Sequence, residues 1–180
     1  MPRKLDAESA AKAWADIASK DAARAFRARG ALSAAPGAAL RLSTAHLHPA
    51  QAADPHFLRR LLTDLESEQF AVRDKAQKEL EDLGDLAESA LRQTLERKPT
   101  LEVRRRVQAV LERLRGPVTR PELLQSLRAA AVLEDIGTPE ARRLLEQLAK
   151  GAPEARLTRE AKASLRRLDL RSASGIRSGG

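Results

Sequence analysis

Apolar residues recur along this chain at intervals of three and four, with charged residues between them. In Ser67 to Gly84, SEQFAVRDKAQKELEDLG, Val72, Ala76, Leu80 and Leu83 share one helical face. Arg73, Asp74, Lys75, Lys78, Glu79 and Asp82 fall on the others. Ser67 is placed to accept a hydrogen bond from a first-turn N–H, and Gly84 to end the helix in the left-handed conformation. The same stripe returns at Val103, Val107, Leu111 and Leu114, and again at Leu157, Ala161, Leu165 and Leu168. Three copies of one helix face predict a repeat architecture.

The remaining segments follow the same rule. Leu5 to Ala18 places Ala10, Ala11, Trp14 and Ile17 at helical spacing, with Asp6 as N-cap. A second helix is expected from about Asp21 to Ala34, carrying Phe26 and Leu32. Pro36-Gly37 breaks it, and Pro36 opens a third helix with Leu40 and Leu47. HPAQAAD, His48 to Asp54, reads as a linker between Pro49 and Pro55. A dense stripe of Phe57, Leu58, Leu61, Leu62 and Leu65 follows.

Asp85 and Glu88 have capping-box spacing ahead of a helix to Arg97, as do Thr119 and Glu122 ahead of one to Ile136. Thr100 caps Leu101 to Arg115, and Thr138-Pro139-Glu140 opens a helix that stops at Gly151. The last copy begins near Thr158. Residues 171–180, mostly Ser, Gly and Arg, read as a disordered tail. The sum is about nine helices, no strand, and short connections that predict sequential antiparallel packing.

Longer segments also superpose. FAVRDKAQKELEDLGDLAESAL matches LLQSLRAAAVLEDIGTPEARRLL, each a helix, a Gly and a second helix. An offset of 101 takes Arg27 to Arg128, Leu32 to Leu133, Pro36 to Gly137 and Leu47 to Leu148. Each unit is a helix pair that cannot bury its stripe alone, whereas stacked neighbours can.

Composition narrows the picture. Aromatics are 2% of the chain, so its core is built from Leu, Val and Ala, which suits close-packed helices and not a β-sandwich. Cysteine is absent, which excludes disulfides and thiolate metal sites. No apolar run is long enough for a membrane span, and Met1 to Lys20 lacks the apolar region of a signal peptide. A cytoplasmic protein is expected. The net charge of +8 invites an anionic partner, but both signs occur on nearly every helix, as on an ordinary solvated surface.

Candidate chemistry is sparse. His46, His48 and His56 with Asp54 could ligate zinc, but their spacing straddles two prolines and no regular element holds them, so loop imidazoles are expected and no metal. Arg104-Arg105-Arg106 is the densest basic run. Three successive helical residues span about 200°, so they form no flat patch. Arg104 aligns with Arg73 and is expected to bond to a neighbouring repeat. The residues left as candidate phosphate contacts are Arg105, Arg106, Arg166 and Arg167. No nucleophile elbow, P-loop, dinucleotide fingerprint or H-E-x-x-H occurs, so neither catalysis nor a cofactor is expected.

FAVRDKAQKELEDLG and IGTPEARRLLEQLAKGAPEARLTREAKASLRRL resemble HEAT-like helical repeats of the lyase-associated type. More closely, they resemble the helical region that follows WD repeats in a family of large bacterial proteins, and WADIASKDAARAFRARGALSAAP is similar to the start of that region. The resemblance spans roughly Trp14 to Leu168. It implies an all-α superhelix of helix pairs over residues 1–170, with a weaker first unit at 5–48 and tighter units at 55–168. It brings no catalytic residues.

Propeller repeats precede this region in the family, so the chain is expected to be a free-standing helical module or the remnant of a longer gene. Arg29-Gly30 stand where the family tends to be apolar, which predicts looser packing of the first unit. The function expected is protein–protein interaction or scaffolding with a partner the residues do not name. The alternative is a nucleic-acid-binding array that uses the surplus of arginine. A third class, a bilin-lyase-like accessory, predicts a ligand groove, which so few aromatics serve poorly.

Overall fold

The computed structural model describes residues 5–177, with side chains as far as residue 173. Among the described residues there are ten α-helices and no strand. They are α1 (Ala7–Asp16), α2 (Ala22–Ser33), α3 (Pro36–His46), α4 (Pro55–Asp64), α5 (Phe70–Leu83), α6 (Glu88–Glu96), α7 (Leu101–Arg115), α8 (Pro121–Ile136), α9 (Pro139–Leu148) and α10 (Arg156–Arg177). A short 3-10 turn over Gly84–Ala87 joins α5 to α6.

Local chemistry sets most of the boundaries. Asp6 accepts the Ser9 N–H at 2.7 Å and so caps α1. Asp21 accepts the N–H groups of Ala23 and Arg24, and Asp54 that of His56. Thr100 and Thr138 cap α7 and α9. Proline stands in the first turn of α3, α4, α8 and α9, where its missing N–H costs no helical bond. Gly137 ends α8 at φ 62° and ψ 9°, and its N–H bonds back to the Leu133 carbonyl.

Three expected starts are corrected. α5 begins at Phe70 after Gln69, because the Ser67 hydroxyl is used by the Gln69 N–H in the turn before it. Asp85 is buried within the 3-10 turn, so α6 starts at Glu88 without a side-chain cap. α8 starts behind Arg120, also without one, and Thr119 lies outside it. In each case proline or a tight turn fixes the entry in place of the acid or hydroxyl. At the other end, α10 runs on to Arg177, so the expected tail starts as helix; residues 178–180 lie outside the described residues.

The chain gathers into two compact units. The first joins Met1–Ala50 to Val118–Gly180, and the second is Gln51–Pro117. In the first, α2 packs on α8, α3 lies against α8 and α9, α10 covers α8 and α9, and α1 covers α2 and α3. Its core holds Trp14, Ile17, Ala28, Leu32, Ala39, Ala129, Ala130, Leu133, Leu145, Leu148, Ala161 and Leu168. Alanines at these crossings let the helix backbones approach closely.

Packing is therefore not purely sequential. The pair α2–α3 stacks on the pair α8–α9, which matches the offset of 101 seen in the sequence. Leu32 and Leu133, and Leu47 and Leu148, lie in one core. The intervening segment folds on itself, and closing a longer connection adds little entropy cost. In this second unit α4 packs on α5 and α6, and α7 packs on α5 and α6. Leu61, Leu65, Ala76, Leu80, Leu91, Val103, Val107 and Val110 form its own core.

Candidate interaction surface

The helix pairs of the first unit leave a groove between α3 and α9. Ala38 and Ala39 of α3 are buried, as are Ala141, Leu145 and Leu148 of α9. That leaves the next face of each helix to line the groove. Leu40 and Leu144 form its half-buried apolar floor. Arg41, Thr44, Ala45, Glu140, Arg143 and Gln147 form its walls. Arg143 reaches back to Glu140 at 3.2 Å, one helical turn away, while Arg41 is exposed. An apolar strip with a charged rim is suited to a helix or extended segment that brings its own apolar side chains. In the second unit a smaller, more charged groove lies between α4 and α5, lined by Arg60, Asp64, Val72, Lys75 and Glu79.

Elsewhere in the first unit, an ion network ties α2, α8 and α10 together. Arg29 grips Asp135 through two bonds of 2.7 Å, and the Ser33 hydroxyl donates to the same carboxylate at 3.1 Å. Arg167 donates to both Glu134 and Glu160, and Arg171 donates to the Glu134 backbone carbonyl at 3.0 Å. Burial pushes the Asp135 carboxyl up, but bonds from Arg29 and Ser33 and the Arg29 charge more than offset it, so it ends below its ordinary value. Burial also pushes Glu134 up, and bonds from Arg167 and Ser164 together with the charges of Arg167 and Arg171 bring it below its ordinary value too. Arg29, whose polarity raised the expectation of loose packing, adds an ion pair to the apolar contact of Ala28 and Leu32 with α8.

The candidate phosphate contacts separate into two kinds. Arg106 donates to Glu102 at 2.7 Å and to Gln77 at 2.9 Å, and it lies over the Phe70 ring. Arg167 is engaged as described above. Arg105 and Arg166 are exposed. The bonding expected of Arg104 belongs to other residues. Arg104 is exposed, whereas Arg73 donates to the carbonyls of Ser67 and Glu68. The histidines have separate roles: His46 stacks on Trp14 at 5.4 Å, His48 is exposed, and His56 lies in the first turn of α4. Asp54 is committed to capping that helix. Among the described residues no three or more His, Cys, Asp and Glu side chains gather as a metal site.

Charge is divided unevenly between the units. Gln51–Pro117 holds thirteen Lys and Arg against thirteen Asp and Glu, so the entire surplus of +8 falls on the first unit. This partition, the groove and the ion network escaped the reading of the sequence. The offset of 101 already pointed to the stacked pairs, but opposite-signed residues more than a hundred positions apart carry no local mark of their pairing. Phe26 was expected to help carry the second helix and is instead 78% exposed. The buried stripe of α2 is Ala25, Ala28 and Leu32, and Phe26 lies about 100° from it.

Among the described residues no helix is long and apolar enough to cross a membrane. No protein-family model, curated protein or solved structure matches the chain.

Proposed function

We propose that the chain is a non-enzymatic interaction module, a scaffold of HEAT-like helix pairs working in the bacterial cytoplasm, which binds a protein partner in the groove between α3 and α9. The observation that carries this reading is the groove's apolar floor of Leu40 and Leu144 within a charged wall. The buried stripes of α3 and α9 hold the stack, and the groove-lining face is left to choose the partner. The carboxylates best placed by the fold, Glu134 and Asp135, are engaged by arginine and serine, which supports a structural use for them over catalysis.

A photo-crosslinking residue at Thr44, expressed in the native host, tests the reading. A discrete adduct is expected from Thr44, lost in Leu40→Lys and absent when the crosslinker stands at Ala34, on the end of α2. No adduct, or the same adducts from both positions, overturns it. A second reading, nucleic-acid binding, is favoured by a different observation: the confinement of the charge surplus to one unit.

A further inference from the structure

Of the ionic groups that line the groove between α3 and α9, one is left over. Arg41, Glu140 and Arg143 are its charged residues. Glu140 lies 3.2 Å from Arg143, one turn on in the same helix, and offsets its charge. The Arg41 side chain forms no ion pair or hydrogen bond among the described residues, and α3 has no acid to offer it. Its guanidinium turns back along α3 over Gly37, with Nη1 3.7 Å from where a Cβ on that glycine would stand. The Thr44 hydroxyl on one wall and the Gln147 amide on the other are exposed and likewise without a partner. The groove therefore offers an apolar floor, two unspent polar groups and one uncompensated cation.

We infer that the occupant is a short amphipathic α-helix of a partner protein, carrying a carboxylate on its flank for Arg41. This rests on the reading of the groove as a protein site and names the kind of protein that fits. Binding by strand addition needs a free sheet edge, and no strand occurs among the described residues. Binding of a proline-rich segment needs an aromatic-lined groove, and no residue that lines this one is aromatic. A helix laid in a groove needs an apolar floor between two walls, which Leu40 and Leu144 supply. The α9 wall runs from Glu140 to Gln147, about 10 Å of helix axis. That is the length of two helical turns, so the guest sets apolar side chains one turn apart on the floor. A carboxylate suits the flank and an ammonium does not, because the unpaired charge is Arg41 and the unit around it holds the whole surplus of +8.

A displayed library of amphipathic helical peptides tests this on the full chain. Each peptide carries Leu at two positions one turn apart, and its flanking positions vary among Glu, Gln and Lys. Glu is expected to dominate one flank of the peptides retained. The tightest of them should bind Arg41→Glu at least about fivefold more weakly, and exchanging its flanking Glu for Lys should reverse that preference. Leu40→Lys should weaken it at least about tenfold. Leu40 also packs against the core, so Ala45→Gln, at an exposed wall position, supplies a second block of the groove. Ala45→Gln should weaken binding too, and both it and Arg41→Glu should melt like the parent. Arg104→Glu, in the second unit, should stay within about twofold of the parent.

No retained peptide, or peptides that neither Leu40→Lys nor Ala45→Gln weakens, would overturn the reading of the groove and the inference with it. Peptides that depend on the groove but show no preference for Glu, or bind Arg41→Glu as well as the parent, would overturn the inference alone. So would displacement of the peptide by a random-sequence duplex, or self-association of the chain that Leu40→Lys abolishes. Those two results would give the groove to nucleic acid or to a second copy.

Discussion

Arg29 and Asp135 are 106 positions apart in the chain and form a two-pronged ion pair with both N–O distances at 2.7 Å. The pair closes α2 against α8 and fixes the register in which the first helix pair meets the next. Both side chains are about one-third exposed or more, so its strength is that of a well-formed surface pair, about 1 kcal/mol. Arg29→Met and Asp135→Asn should each lower stability by about that amount, and the double variant should lose little more than either alone. A urea-denaturation cycle measures this, and fully additive losses would show that the pair is not coupled.

Acid should loosen the same seam. Glu134 and Asp135 both sit below their ordinary values in the fold. A depressed carboxyl contributes stability above its unfolded pKa, about 4, and loses it as pH falls through the lower folded value. The melting temperature should therefore fall steeply below about pH 4, and less steeply in Asp135→Asn, which has one proton fewer to bind. Identical acid slopes in parent and variant would remove this carboxylate from the account.

Ala161 and Ala76 lie at close helix contacts in the first and second units, 0% and 2% exposed. Ala161→Asp should unfold the first unit and Ala76→Asp the second, each at a cost above about 4 kcal/mol, because each buries an unpaired charge. Hydrogen exchange read by mass spectrometry locates the loss. Protection retained around the substituted alanine would contradict the register of its helix.

Two glycines should respond with opposite signs. A Cβ at Gly151 would sit 2.7 Å from the Ala50 backbone nitrogen and 2.6 Å from the Thr158 hydroxyl. This is where the Ala152 N–H bonds the Ala50 carbonyl and clips the end of the α3 segment to the turn before α10. Gly151→Ala should cost about 1–3 kcal/mol, since the obstruction is backbone. At Gly30, inside α2, nothing lies within 4 Å, so Gly30→Ala should gain about 0.5–1 kcal/mol through helix propensity. Thermal melts of the two variants decide both signs.

What the order of residues determined by itself is local. The three-and-four spacing of Val72, Ala76 and Leu80, or of Leu157, Ala161 and Leu168, specifies a helix and the side it buries, because period and burial follow from backbone geometry alone. Caps at Asp6, Thr100 and Thr138 were legible for the same reason, since each bond spans only three residues. Where two local signals competed, as with Ser67 against Gln69 or Thr119 against Pro121, spacing could not rank them.

Only the tertiary structure decided which pairs of helices meet. Apolar stripes of Leu and Ala are nearly interchangeable as partners, so a stripe states that it must be covered without saying by what. The choice of α8 for α2 is made by how the alanines and leucines at their crossing fit, and it is sealed by Arg29 and Asp135. The groove beside Leu40 and Leu144, the engagement of Arg167, and the collection of all excess charge on one unit go with that choice, and the engagement of Arg106 goes with the packing of α5 against α7 in the second unit. Each depends on distances between residues remote in sequence, a quantity that local periodicity does not contain.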